Sequence, residues 1–196
     1  MTNTDDFVWR LVKGCIQLGF TPDINNTINM VPVDHVAHCA ALATVHPLKL
    51  NITNVLHVTS HPPVTYNDLL EPLSRHGYPV EQCEYIIWRQ KLEQYVLDAQ
   101  DNALFPLLHF VLDDLPSNTK SAELDDTNTK LLLGQETGQE TGHITTATVN
   151  RELMAKYLAW LVNAGFLPTP SSIAEVALPE VIACGNTRAV GRSGRI

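Results

Sequence analysis

Short strand-like runs alternate with helical segments along the chain, and this alternation restricts the fold more than any other feature. The three runs are residues 27–33, 52–58 and 84–88, and each is followed by residues with helical periodicity. Strands that alternate with helices indicate βαβ units and a parallel sheet. Three short strands make a poor independent sheet, because a parallel sheet normally has both faces covered. The sequence therefore predicts a helix-dominated α/β fold of about six helices and three short strands, incomplete as a domain.

The predicted helices are bounded by capping residues. Thr4 is the expected N-cap of the first helix, which carries apolar residues at helical spacing and ends at Gly19. Asp34 is the expected N-cap of a helix rich in small residues. The remaining predicted helices begin at a capping box over residues 65–68, centre on residues 92–99 and 104–112, and begin at Asn150.

The composition changes after the fifth predicted helix. Residues 113–147 are polar and low in aromatic residues, and the Gly-Gln-Glu-Thr of residues 134–137 is repeated directly at 138–141. Such a composition buries too little apolar surface to form a core, so a polar flexible loop is predicted here. Residues 169–196 are weakly patterned and end in a basic run, which predicts a loose carboxyl-terminal tail.

Charge and composition exclude several classes of protein. The net charge is −8 and only 17% of the residues are charged, which argues against a nucleic-acid partner, because phosphate neutralisation needs a dense basic face. The longest apolar stretch, around residues 39–45, is too short to span a bilayer, so no membrane partner is expected. The four cysteines form no C-x-x-C pair, and the amino-terminal residues are acidic and polar. Both features predict a cytoplasmic protein.

No complete catalytic or metal-binding constellation is present in the sequence. His35 and His38 share a helix face, but no carboxylate at suitable spacing completes a metal site, so no metal is predicted. Tyr85 and Arg89 come nearest to a Tyr-x-x-x-Lys pair, but arginine is effectively never deprotonated. The chain also lacks a P-loop and a G-x-G-x-x-G turn. No catalytic or cofactor-binding residue is therefore predicted within this segment.

Several long strings of residues resemble the carboxyl half of the fungal α-aminoadipate reductases. The match covers roughly residues 1–168, and the strings occur in the same order. The strings are TNTDDF (2–7), WRLVKGCIQLG (9–19), NNTINMVPVDHVA (25–37), HVTSHP (57–62), PLLHFVLDDLP (106–116), LDDTN (124–128) and GFLP (165–168). The Val-Pro-Val-Asp-x-Val-Ala piece is less specific, because it recurs across extended short-chain dehydrogenases.

The resemblance implies a position within a larger reductase domain of the extended short-chain dehydrogenase (Rossmann) type. It implies that residues 1–112 are the substrate-side lobe and that residues 148–168 are a carboxyl-terminal helix packed on this lobe. The polar flexible loop at 113–147 and the loose tail at 169–196 are predicted from composition. The glycine-rich nucleotide turn and the Tyr-x-x-x-Lys pair of the family precede the matched region. The chain alone is therefore expected to be inactive. The Gly-Gln-Glu-Thr repeat departs from the family pattern.

The resemblance also implies an activity, cofactors and partners. The full enzymes of this family activate α-aminoadipate with ATP, hold it as a thioester on phosphopantetheine, and reduce it with NADPH to the semialdehyde for lysine biosynthesis. The expected partners are the upstream Rossmann half of the reductase and the carrier and adenylation domains. The Rossmann half would make most of the contacts with NADPH. Two other functions stay open: a non-catalytic module that binds the carrier protein, and a fragment of another extended short-chain dehydrogenase or epimerase.

Four polar residues are candidates for contacts with the substrate or the carrier. Arg10 and Lys13 lie on the less apolar face of the first helix, where they could meet a carboxylate or an acidic carrier domain. A solvated helix face is the alternative for both residues. Asn29 and Asp34 are the other two candidates, with capping of the local backbone as the alternative.

Overall fold

The structure is a computed structural model, and it describes residues 4–45, 55–98, 101–119, 121–137, 147–171 and 173–181. Two compact units make up the chain. The first unit contains Met1–Asn25, Tyr66–Thr119 and Arg151–Ile196, and the second contains Asn26–Thr65 and Lys120–Asn150. In chain order the elements are α1 (Phe7–Leu18), β1 (Phe20–Asp23), β2 (Thr27–Ile28), α2 (Val33–Val45), β3 (Val64–Thr65), α3 (Tyr66–Arg75), β4 (Glu81–Glu84), α4 (Tyr85–Asp98), a 3₁₀ turn (Phe105–Leu107), α5 (Leu108–Asn118), α6 (Thr127–Thr137) and α7 (Arg151–Asn163).

The first unit surrounds a short parallel ladder with helices. Strands β1 and β4 pair in parallel, with Phe20 opposite Glu81. The Trp88 indole on α4 is fully buried, and its Nε1 donates to the Phe20 carbonyl over 3.1 Å. Trp9 on α1 packs edge-on against Tyr157 on α7, with ring centroids 5.5 Å apart. Burial of such aromatic side chains stabilises the packing of these helices around the ladder.

The second unit contains a two-residue hairpin ladder and a helix pair. Strands β2 and β3 are antiparallel, with Thr27 opposite Thr65, and α2 packs against α6. Cys39 and Leu42 are the buried residues of α2. No helix among the described residues of either unit is long and apolar enough to cross a membrane.

Each of the six predicted helices has a counterpart in the structure, namely α1, α2, α3, α4, α5 and α7, but the predicted N-caps of α1 and α2 change. Helices α1, α3 and α7 follow the predicted apolar periodicity. Gly19 ends α1 at φ +76°, a left-handed conformation that glycine adopts without steric cost. Thr4 is not the N-cap of α1, because the Asp6 carboxylate accepts a hydrogen bond from the Val8 N–H over 2.9 Å and fills this role.

The predicted strand at residues 84–88 is wrong, because these residues form the junction of β4 with the first turn of α4. The run Tyr-Ile-Ile-Trp is rich in residues that favour strands. However, Trp88 and Leu92 are fully buried four residues apart, whereas Ile86 is 64% exposed. This is the burial pattern of a helix face, and tertiary packing of Trp88 overrides the local β propensity.

The other two predicted strands are also corrected. The run at 27–33 is reduced to β2, because Val33 already begins α2. Residues 55–58 carry no ladder in the structure, and residues 52–54 lie outside the described residues. The described strands are therefore shorter than the sequence predicts, and the fold depends more on helices.

The expectation that residues 113–147 contribute nothing to a core is wrong. Helix α5 continues through Asn118, and α6 occupies Thr127–Thr137. Leu115 and Leu132 are fully buried, because each lies on the inner side of its helix although the surrounding residues are polar. The second half of the Gly-Gln-Glu-Thr repeat, at 138–141, lies outside the described residues.

The first part of the predicted loose tail is fixed to the end of α3. Ser171 donates from its N–H and its hydroxyl to the Gly77 carbonyl, over 3.0 and 2.8 Å. The Val176 N–H donates to the Arg75 carbonyl over 3.2 Å. The carboxyl end of a helix leaves carbonyls without intrahelical partners, and these tail residues satisfy them. The predicted basic end of the tail, from residue 182 onwards, lies outside the described residues.

Candidate functional site

The two basic candidates of α1 lie in the first unit and are both engaged. Arg10 Nη2 is 2.8 Å from Asp5 Oδ1, at a partly exposed position. The Lys13 ammonium lies 4.6 Å from the centre of the Phe166 ring, in a cation–π contact. Surface ion pairs and cation–π contacts of this kind stabilise only weakly. Both cations therefore remain accessible to an acidic partner at a small cost.

Asn29 and Asp34 lie in the second unit and bond to the backbone. Asn29 donates to the Val58 carbonyl over 3.1 Å and accepts from the Ser60 N–H over 2.9 Å. Asp34 lies in the first turn of α2 and accepts from the His35 N–H over 3.0 Å. The predicted N-cap role of Asp34 is therefore corrected to a position one residue inside the helix, where a carboxylate still favours the helix dipole.

The four predicted candidates thus belong to two different units, and neither unit gathers all of them. A more concentrated polar cluster lies in the second unit. We call it the Asp126 cluster, and its members are Thr59, His61, Asp126 and Lys130. The Thr59 hydroxyl donates to Asp126 Oδ2 over 2.7 Å, and His61 Nε2 lies 2.5 Å from the same oxygen. The Lys130 ammonium is 2.8 Å from Asp126 Oδ1.

The electrostatics of Asp126 follow from this geometry. Burial alone would raise the pKa of the Asp126 carboxyl, because it disfavours the charged form. The hydrogen bonds from Lys130, His61 and Thr59 outweigh burial and hold this pKa well below its usual range. Asp126 is therefore an ionised acceptor that holds three donors from three positions in the chain.

The first turn of α6 also binds the backbone of residues 55–57. Asn128 Nδ2 donates to the Val55 carbonyl over 3.0 Å, and the Thr129 hydroxyl donates to the His57 carbonyl over 2.8 Å. His57 Nδ1 lies 2.9 Å from the Asp125 carbonyl oxygen. Side chains, rather than a strand ladder, satisfy these backbone groups.

The sequence did not reveal the Asp126 cluster, although one signal was present. Asp126 and Lys130 are spaced i, i+4, which places their side chains on one helix face. The polar composition around them hid the start of a helix, because composition measures the average of a segment and not the single buried position at Leu132. The contacts with Thr59 and His61 join residues more than sixty positions apart, and no local pattern encodes them.

The other described histidines of the second unit do not form a metal centre. His35 Nε2 lies 3.7 Å from Cys39 Sγ, and the pKa of His35 is lowered by its burial first and by the neighbouring His38 second. Among the residues that the structure describes, no group of three or more histidine, cysteine, aspartate or glutamate residues could hold a metal ion.

Tyr85 and Arg89 have structural roles. The Tyr85 hydroxyl donates to the Val111 carbonyl over 2.8 Å and accepts from the Leu115 N–H over 3.2 Å. Arg89 Nε is 3.0 Å from Glu93 Oε1 on the same helix. These residues therefore do not form a proton-transfer pair.

The described cysteines are free thiols without nucleophilic activation. Cys15 is buried, and this burial raises the pKa of its thiol far above the ordinary value. Burial is also the main reason that the pKa values of Cys39 and Cys83 are raised. Thiolates are disfavoured at all three positions.

A cleft of about 340 Å³ lies in the first unit between α3, α7 and residues 176–179. Three cations line it, and each is 2.7–3.7 Å from an acidic side chain: Arg75 with Glu175, Arg151 with Glu71, and Lys156 with Glu152. The cleft therefore combines three separate ion pairs with apolar lining residues such as Pro72, Ala155 and Val176. In the Asp126 cluster, by contrast, one carboxylate holds several donors.

Comparison with known proteins gives these features a context. No protein-family model matches the chain. The chain is 48% identical over 181 residues to the L-2-aminoadipate reductase of Schizosaccharomyces pombe, a match that covers 91% of this chain and 12% of that protein. It is 46% identical over 185 residues to the L-2-aminoadipate reductase large subunit of Penicillium chrysogenum, covering 91% and 13%. The chain is homologous to part of the L-2-aminoadipate reductases.

A solved structure supports the same assignment at the level of the fold. The crystal structure of the terminal R domain from the myxalamid PKS-NRPS biosynthetic pathway is similar to the chain, with a TM-score of 0.68 and 26% identity. The similarity covers 86% of this chain and 41% of that chain. It confirms the predicted fold class, a helix-dominated α/β part of a reductase domain of the extended short-chain dehydrogenase type. The chain spans about an eighth of the length of its aminoadipate reductase relatives.

Proposed function

We propose that this chain is part of an NADPH-dependent thioester reductase that releases carrier-bound α-aminoadipate as its semialdehyde, in cytoplasmic lysine biosynthesis. The observation that carries the proposal is the identity of 46–48% to L-2-aminoadipate reductases across 91% of the chain. Identity at this level over nearly the whole of this chain favours a role in an aminoadipate reductase over a role in a different short-chain dehydrogenase or epimerase.

The surface of α2 supports the view that this part works together with another part. Val33 is 81% exposed and Val36 is 42% exposed, and the exposed side of the same helix also carries Ala37 and Ala40. Only Cys39 and Leu42 of this apolar helix are buried. An exposed apolar helix face of this kind marks an interaction site.

We propose the nucleotide-binding half of the same reductase as the occupant of this α2 face. The chain accounts for only 41% of the similar R domain, so the remainder of such a domain offers a partner for this face. When two apolar faces pack against each other, both are removed from water. This burial stabilises the assembled domain by about 25 cal/mol for each Å² of apolar surface.

The cofactor belongs to that other half in this proposal. NADPH, when bound, supplies the hydride that reduces the thioester carbonyl. This sequence has no glycine-rich turn to accept a pyrophosphate, so its residues do not fit the cofactor. The chain would instead orient the acyl group and exclude water from it.

Arg10 and Lys13 remain the proposed contacts to the phosphopantetheine-bearing carrier domain. Both are on α1 and hold weak partners, Asp5 and the Phe166 ring. An acidic carrier surface could replace these partners and gain electrostatic steering. Asn29 and Asp34 are bonded to the backbone, and we propose that they shape the second unit near the substrate.

The test compares the chain alone with the chain joined to a nucleotide-binding half. Each protein is mixed with NADPH and an aminoadipoyl thioester on a phosphopantetheinylated carrier, and aldehyde formation is measured. We expect no aldehyde from the chain alone and steady turnover from the joined protein. An adipoyl thioester, which lacks the amino group, is the control for substrate class. Failure of the joined protein to reduce the aminoadipoyl thioester would contradict the proposal.

A further inference from the structure

We propose that Asp126 is a positioning residue that fixes residues 55–61 in the conformation that the reductase uses. The inference rests on the proposed function, because the activity it supports is that of the assembled reductase. It concerns the second unit alone, in which both α6 and residues 55–61 lie.

Among the acidic side chains of the described ion pairs, that of Asp126 is the most deeply buried. Its side chain is 13% exposed. The exposed fractions of the acidic partners in the remaining carboxylate pairs run from 42% to 77%, at Asp5, Glu71, Glu93, Glu152 and Glu175. A partly buried charge is costly unless donors surround it, so a carboxylate at this depth depends on its partners and they depend on it.

The three donors to Asp126 come from both sides of the contact. Lys130 belongs to α6, one turn after Asp126. Thr59 and His61 belong to the segment that α6 packs against. A single carboxylate therefore joins the start of α6 to residues 59 and 61. Its removal would take the charged acceptor from three donors at once, and of these only Thr59 and His61, whose Oγ1 and Nε2 lie 3.0 Å apart, would keep a contact with each other.

Residues 55–61 depend on such contacts because they form no strand with a neighbour along most of their length. Their carbonyls at Val55, His57 and Val58 accept from Asn128, Thr129 and Asn29. At the far end His61 pairs with Ala147 in an isolated bridge. Side-chain hydrogen bonds to an irregular segment are individually weak. The segment therefore keeps one conformation only while α6 holds its position against it.

This segment lies in the same unit as the exposed α2 face. The string His57–Pro62 is also one of those in which the sequence resembles the α-aminoadipate reductases. A shift of residues 55–61 would alter the surface that the second unit offers to the nucleotide-binding half. A displacement of about 1 Å can cost roughly a hundredfold in rate when it misaligns reacting groups.

Asp125 provides a matched control. Its carboxylate accepts from the Thr127 N–H and hydroxyl over 3.0 and 2.6 Å and thus caps α6. Its contact with His57 uses the backbone carbonyl, which the substitution Asp125→Asn leaves in place. Asp125→Asn therefore removes the same charge from the adjacent residue without removing the acceptor of Thr59, His61 and Lys130.

The experiment uses the full reductase that contains this chain, with Asp126→Asn, Asp126→Glu and Asp125→Asn. Hydrogen exchange of residues 55–61 and the kcat and KM for the carrier-bound aminoadipoyl thioester are measured. For Asp126→Asn we expect exchange in the segment to rise about tenfold or more and kcat to fall about tenfold, with KM changed less than about threefold, because Asp126 bonds its own chain and not the substrate. Asp126→Glu should recover part of kcat, and Asp125→Asn should stay within about twofold of the parent in all three quantities.

The proposal is overturned when the parent enzyme is active and Asp126→Asn behaves like Asp125→Asn, or when KM rises while kcat is unchanged. If Asp126→Asn does not fold, Thr59→Val removes one donor only, and unchanged exchange and kcat in that variant would overturn the proposal equally. A parent enzyme that forms no aldehyde contradicts the proposed function instead, so the two failures are distinct.

Discussion

The Tyr85 hydroxyl lies between the Val111 carbonyl and the Leu115 N–H, two groups that bond each other directly in an uninterrupted helix. Pro116, which has no N–H, follows at the next position of α5. A side chain inserted into the hydrogen-bond ladder is a recognised cause of a helix irregularity. Tyr85 thereby satisfies two backbone groups of α5 from a position on α4.

We predict that Tyr85→Phe lowers the free energy of unfolding by about 1–2 kcal/mol, because both backbone groups lose their partner. Chemical denaturation of the full chain measures this change. Tyr95→Phe is the matched control, since its hydroxyl bonds the exposed Asp101, and we expect a change within about 0.5 kcal/mol. Equal effects of the two substitutions would refute the structural role of Tyr85.

The pKa of Asp126 leads to a prediction about pH. Donors from Lys130, His61 and Thr59 hold this pKa below its unfolded value of about 3.9. A carboxyl with a lowered folded pKa contributes stability that is complete above the unfolded pKa and is lost as the pH falls towards the folded pKa. The difference in unfolding free energy between the parent and Asp126→Asn should therefore shrink as the pH falls below about 4. A difference that grows on acidification would contradict this assignment.

At the scale of single residues, the sequence predicted the residues that end helices better than it predicted contacts between distant residues. Gly19 ends α1 as predicted, because positive φ at the end of a helix is encoded by the residue type itself. The N-cap of α1 is Asp6 and not the predicted Thr4. Both residue types can cap a helix, and only the packing of α1 selects between them. The Asp126 cluster and the Tyr85 contact join distant residues, and single-sequence patterns carry no information about them.

At the scale of elements, periodicity was informative where a helix has one apolar face and misleading where it does not. Helices α1, α3 and α7 were predicted because their apolar residues recur at helical spacing. The first turn of α4 was mistaken for a strand, since Ile86 and Ile87 are exposed apolar residues beside the buried Trp88. Helix α6 was missed, because one fully buried leucine in a polar stretch gives no periodic signal.

Helix α6 can be tested through two adjacent leucines. Leu132 is fully buried, whereas Leu131 is 53% exposed. We predict that Leu132→Ala lowers the free energy of unfolding by about 2–5 kcal/mol, through lost burial and the cavity left behind. Leu131→Ala is the control and should change it by no more than about 0.5 kcal/mol. Denaturant titration of both variants decides the matter, and similar losses at the two positions would mean that α6 does not contribute to the core.

At the scale of the molecule, the resemblance and the comparisons agree on a part of a reductase domain, and the sequence also predicted an incomplete fold. That prediction came from the number of strands, three short runs in place of a full parallel sheet. The described part of the structure likewise contains no full parallel sheet. The described ladders are two pairs of short strands, and α2 keeps an apolar side in water.

The exposed side of α2 allows stability and assembly to be separated. Val36→Lys places a charge on this side at a residue that is 42% exposed, so the isolated chain should lose no more than about 0.5 kcal/mol of stability. In the reductase joined to its nucleotide-binding half the same charge would be buried in the proposed contact, where an unpaired charge is strongly unfavourable. We therefore expect aldehyde formation to fall about tenfold or more, accompanied by weaker association of the two halves when they are mixed as separate chains. Ile173→Lys is the control, because Ile173 is an 89% exposed apolar residue of the first unit, outside α2. A general effect of surface charge would lower the activity of both variants alike, whereas a contact at α2 lowers only that of Val36→Lys.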